Sequence, residues 1–92
     1  MTSAEIKREM QLMGLTPRHK GFFYISGLLT ELMGRDGGAG MKLPRTEERC
    51  MRYAINYAWD INEGCIHDLF PDRGMPPTPT EFIYAMLWRM DE

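Results

Sequence analysis

Long apolar runs are missing from this 92-residue chain, and their absence is the first constraint on what it can be. No stretch approaches the ~18–20 apolar residues of a membrane span, and Met1 to Met10 mixes acids and bases where a signal peptide needs an apolar core. The expected compartment is therefore the cytoplasm, with no membrane partner. Cysteine is scarce: Cys50 and Cys65 allow one disulfide at most, and both lie in segments that read as helical, so both are expected as free thiols. Histidine is equally scarce, with His19 and His67 alone. Two Cys and two His spread along the chain make no C-x-x-C or H-x-x-x-H half-site, which argues against structural zinc. A large charge of one sign is also missing, since the net charge is −2. That total conceals an asymmetry: residues 1–59 carry nine Lys/Arg against six Asp/Glu, and residues 60–92 carry two against seven. A weakly basic front can meet phosphates, but a dedicated nucleic-acid binder usually shows a stronger, continuous basic face.

What is present is helical patterning in a chain with room for one domain. Thr2 and Glu5 form a candidate capping box for a first helix from about Ser3 to Met13, with Ile6, Met10 and Met13 at helical spacing and Gly14 as its stop. Thr16-Pro17 predicts an N-cap and first-turn proline for a second helix, whose apolar face is Phe22, Ile25, Leu28, Leu29, Leu32 and Met33. Residues 34–43 read as a Gly-rich loop. Pro44 and Thr46 open a third helix with Met51, Ala54, Ile55, Ala58 and Trp59 as its buried stripe, ending near Asn62 to Gly64. Cys65 to Phe70 predicts a short fourth helix closed by Pro71. After the irregular proline-rich stretch 71–77, Thr78-Pro79-Thr80-Glu81 launches a last helix with Phe82, Ile83, Met86, Leu87 and Met90 inward. The expected fold is all-α, a compact bundle of about five helices. Most of the nine methionines fall at core spacing, where a flexible thioether fills gaps.

Candidates for chemistry are thin. Cys65-Ile66-His67-Asp68 is the one place where a thiol, an imidazole and a carboxylate occur together, and adjacent helical positions do not converge on one point. The glycine loop lacks the Gly-Lys-Ser/Thr ending of a phosphate loop. No enzymatic activity, no metal and no cofactor is expected. The third helix is more informative: Arg45, Arg49 and Arg52 lie three or four residues apart, which aims several guanidiniums one way. An arginine face open and continuous with Lys42 and Arg45 favours DNA. Pairing of these arginines with Glu47 and Glu48 favours a solvated face instead.

Four short motifs, in order, carry a family resemblance over nearly the whole chain outside the glycine loop and residues 71–76. Gly14-Leu15 followed by Lys20-Gly21-Phe22-Phe23-Tyr24-Ile25 resembles a Gly-Val then Lys-Gly-Tyr-x-Tyr-Leu pattern at equal spacing. Glu48-Arg49-Cys50-Met51-Arg52-Tyr53-Ala54-Ile55 through Ala58-Trp59 is similar to a recognition-helix pattern Glu-Arg-x-x-Arg-x-Ala-Ile ending in Ala-Trp. Leu69-Phe70 is the third, and Pro77-Thr78-Pro79-Thr80-Glu81-Phe82-Ile83 resembles Pro-Thr-x-Ser-Glu-Phe-Ile. These patterns are those of the C-terminal DNA-binding effector domain of the sporulation initiation response regulator, the stage zero sporulation protein A family. The resemblance implies an all-α domain of about six helices around a helix-turn-helix that binds promoter DNA. It places Glu48, Arg49 and Arg52 where the family's recognition helix faces bases and phosphates, with Arg45 beside them as a candidate nucleic-acid contact.

The departures shape the functional expectation. Between Tyr24 and Trp59 the chain is shorter than the family pattern by more than a dozen residues, and the missing part is the supporting helix of the helix-turn-helix. Thr46 replaces a recognition-helix arginine, and Glu47 an apolar residue facing the scaffold. No receiver domain is expected in front, hence no regulation by phosphorylation. Without the supporting helix, the recognition helix loses the element that fixes its angle in the groove. The surface around Leu43, Cys50, Tyr53 and Tyr57 then suits a protein partner, a self-association interface or a flat ligand. The leading expectation is a non-enzymatic binding protein on a trimmed sporulation-regulator scaffold, acting by protein or small-ligand interaction, of a kind that suits a phage or mobile element inhibiting a host system. The alternative is a sequence-specific DNA-binding transcription regulator acting as a homodimer on duplex DNA.

Overall fold

The computed structural model describes residues 2–33 and 44–90. Among them are five α-helices: α1 (Ser3–Leu12), α2 (Lys20–Met33), α3 (Arg45–Ile61), α4 (Ile66–Leu69) and α5 (Pro79–Met90). No strand occurs among the described residues, and no helix there is long and apolar enough to cross a membrane. The Gly-rich loop 34–43, including the candidate contact Leu43, lies outside the described residues.

Local chemistry sets three of the helix ends. Thr2, in extended backbone geometry, accepts the Glu5 N–H on its hydroxyl at 3.2 Å and so caps α1. Asn62 ends α3 in the left-handed region at φ 56°, a conformation Asn tolerates better than most residues, and its N–H bonds to the Ala58 carbonyl. At α5 the capping box is complete: the Thr78 N–H donates to Glu81 Oε1 at 2.9 Å, and the Glu81 N–H donates to Thr78 Oγ1 at 3.2 Å. Arg73 reaches Glu81 Oε2 at 2.6 Å and ties the irregular segment before α5 to its first turn.

The start of α2 departs from the expected Thr16-Pro17 cap. Pro17 and Arg18 form a turn closed by the His19 N–H on the Thr16 carbonyl, and the helix begins only at Lys20. The Thr16 hydroxyl, read as a helix cap, instead meets His19 Nδ1 at 3.3 Å. The reason is tertiary: the His19 ring is held against Tyr53 and Tyr57 of α3, and that contact sets where the chain turns.

The core gathers one face of each helix. Ile6 and Met10 of α1, Phe22, Ile25 and Leu29 of α2, Met51, Ile55 and Trp59 of α3, Ile66 of α4, and Phe82, Ile83 and Met86 of α5 are buried together. Each such side chain contributes about 1.5–3 kcal/mol on burial. Met33, expected in the core, is half-buried at its edge. α2 packs chiefly on α3, and that pairing turns the opposite face of α3 to solvent.

Candidate interaction face on the third helix

With about 100° between successive residues, Arg45, Arg49, Arg52, Tyr53, Asn56 and Asp60 fall within one sector about 100° wide. This sector lies opposite the buried Met51, Ala54, Ile55 and Ala58. All six are exposed except Asn56, which is half-buried. The three arginines expected to share a direction therefore do so. Arg52 pairs with Glu48 at 2.6 Å, one turn away. An exposed i,i+4 pair of this kind contributes about 0.3–0.5 kcal/mol, so it gives way readily to another anion. Arg45, Arg49 and Asp60 enter no ion pair among the described residues. The expected pairing thus holds for one arginine of three, with Glu48 as the partner.

An aromatic group flanks this sector. Tyr53 is 65% exposed, and Tyr57 is half-buried beside it. The His19 ring lies edge-on to Tyr53 at 5.2 Å between centroids and tilted against Tyr57 at 4.7 Å. The turn before α2 thereby clamps two tyrosines of α3, fixing their rings and lowering the entropy lost when a partner covers them. Tyr53 and Tyr57 were legible as candidates; His19 was not, because its partners are distant in sequence.

The charge order along α3 works against its own dipole. Arg45 stands in the first turn, where a cation is disfavoured, and Asp60 stands in the last turn, where an anion is disfavoured, each by about 0.3–1 kcal/mol. Glu47 and Glu48 in the first turn have the favourable sign.

In the segment Cys65 to Asp68, His67 packs back on α3. His67 stacks on Trp59 with ring centroids 3.8 Å apart, and its Nε2 lies 3.0 Å from the Trp59 carbonyl oxygen, which requires the proton on Nε2. Both cysteines are free thiols, Cys50 half-buried and Cys65 exposed. Among the described residues no group of three or more His, Cys, Asp or Glu is placed to hold a metal ion. On α5, Trp88 is 80% exposed because it falls off the stripe of Phe82, Ile83, Met86 and Met90. In comparisons with known proteins, no family model, no curated protein and no solved structure matches this chain.

Proposed function

We propose that this chain is a non-enzymatic binding domain on a trimmed sporulation-regulator scaffold, acting by protein contact through the open face of α3. The observation that supports it is the conjunction, on one exposed sector, of Tyr53, clamped by His19 together with the half-buried Tyr57 at the sector's edge, with two arginines that have no ion-pair partner among the described residues. Tyr and Arg are the side chains enriched at the energetic centres of protein interfaces. A domain of this kind suits a phage or mobile element that interferes with a host system.

A second reading, duplex DNA, is favoured by the exposure of Arg45 and Arg49 and opposed by Asp60 in the same sector. Size-exclusion chromatography with light scattering, with and without mixed duplex DNA at low salt, separates the two. Unchanged elution with DNA, together with association that Tyr53→Ala weakens, supports the protein reading. A stable DNA complex that Arg49→Ala with Arg52→Ala destroys establishes the other.

A further inference from the structure

The open face of α3 is self-complementary. Read in chain order its sector runs Arg45, Arg49, Arg52, Tyr53, Asn56, Asp60: cations at one end, an aromatic at the centre, an anion at the other. Arg45 and Asp60 are exposed and enter no ion pair among the described residues. Fifteen residues of helix put them about 22 Å apart, too far to meet within one chain. Two copies of α3 laid antiparallel about a two-fold axis between Arg52 and Tyr53 bring them together. Arg45 then approaches Asp60 of the second copy and Arg49 approaches Asn56, each contact occurring twice. Tyr53 meets its own copy beside the axis, while Arg52, about 100° round the helix from Tyr53, stays with its own Glu48.

We infer that the partner of the α3 face is a second copy of this chain, docked antiparallel helix to helix as an isologous dimer. The inference rests on the reading of that face as a protein-binding surface. Three features of the pairing stand on physical grounds. The two charges that oppose the α3 dipole each gain a partner of opposite sign. Arg49 meets an amide oxygen of Asn56, a hydrogen-bond acceptor. Tyr53, its ring already held in place by His19, meets the same ring of the second copy across the axis, an apolar contact at the centre of the seam. An isologous interface of this kind closes on itself and stops at two copies. A seam on one helix is small beside the ~800 Å² per partner of a standard interface, so the dimer forms and dissociates with concentration. It also covers the arginines, so the dimer and any other occupant of α3 exclude one another.

The experiment is sedimentation equilibrium of the full chain from about 1 µM to about 1 mM, on wild type, Arg45→Glu, Asp60→Arg, the double reversal in one chain, and Tyr53→Ala. All three positions are exposed, and thermal melting verifies that each variant folds. The expected result is a wild-type mass rising from 10.7 kDa toward twice that value. Each single reversal, which sets like charges opposite one another twice, raises Kd about tenfold or more, and so does Tyr53→Ala. The double reversal restores association to within about threefold of wild type. A chain that stays monomeric at every concentration overturns self-pairing but leaves the α3 face for a foreign partner. A dimer that ignores all these substitutions overturns pairing through α3 and places self-association on another face. A dimer weakened by both single reversals and not restored by the double one overturns the antiparallel register.

Discussion

Gly21 of α2 lies directly against the backbone of Cys50 in α3, with no room for a methyl group between them. A Cβ there meets a carbonyl group and the neighbouring Met51 Cα rather than the yielding end of a side chain. The close crossing of these two helices, and with it the angle at which α3 presents its open face, depends on that hydrogen atom. Gly21→Ala is therefore expected to destabilise the fold by about 1–3 kcal/mol, as overpacking does. Gly27 in the same helix is exposed, with open space where a methyl group would stand. Gly27→Ala is expected to stabilise by about 0.4–1 kcal/mol. Urea unfolding of the two variants checks both signs.

Ile55 is fully buried on the inward face of α3. Ile55→Ala is expected to cost about 2–5 kcal/mol. For a chain of this size that lowers the melting temperature by roughly 10 °C or more. A melting curve within a degree or two of wild type would remove Ile55 from the core.

The α5 cap makes stability depend on pH. The backbone N–H of Thr78, followed by the side chain of Arg73, lowers the Glu81 carboxyl from its ordinary 4.5 to about 2. A depressed folded-state pKa contributes stability that is fully present above the unfolded value and is lost as pH falls from about 4.5 toward about 2. Because Glu81 is largely solvated, the contribution is small. The deficit of Glu81→Gln against wild type, measured by urea midpoint, is expected at pH 7 and is expected to narrow at pH 2. Thr78→Ala removes the other half of the box and is expected to cost about 0.5–2 kcal/mol.

DNA binding carries a salt signature. Contacts from three arginines give a log–log slope of affinity against salt of about −3, at roughly −0.9 per phosphate. The expected result for this acidic chain is no duplex complex tighter than about 10⁻⁶ M at physiological salt. Fluorescence anisotropy across a salt series checks it. A nanomolar, sequence-dependent complex lost in the Arg49→Ala, Arg52→Ala double variant would establish the DNA reading in its place.

Features encoded by neighbours in sequence were legible and those encoded across the fold were not. The α5 start is written in four adjacent residues, Thr78 to Glu81, and forms as those residues dictate. The buried stripe of α3 follows from spacing alone. At Thr16-Pro17 the same local grammar misplaced the start of α2, because the packing of His19 on Tyr53 and Tyr57 is not written in the adjacent residues. The burial of Leu15 and Ile66 was unreadable for the same reason: each lies outside a long periodic segment and is covered by distant helices. The tyrosines of the candidate face were visible as residues, but their clamp was not. The opposition of Arg45 and Asp60 could be counted along the helix, yet it acquires meaning only once both are known to be exposed.

The Cys65 N–H donates to the Leu12 carbonyl at 2.8 Å, binding the entry of α4 to the exit of α1. Cys65 is itself exposed, so its side chain shields little. Solvent deuterium reaches this amide by parting the two segments, and its exchange rate times the opening of that junction. One resonance therefore serves as a clock for the docking of the N-terminal helix, readable without any label on the helix itself.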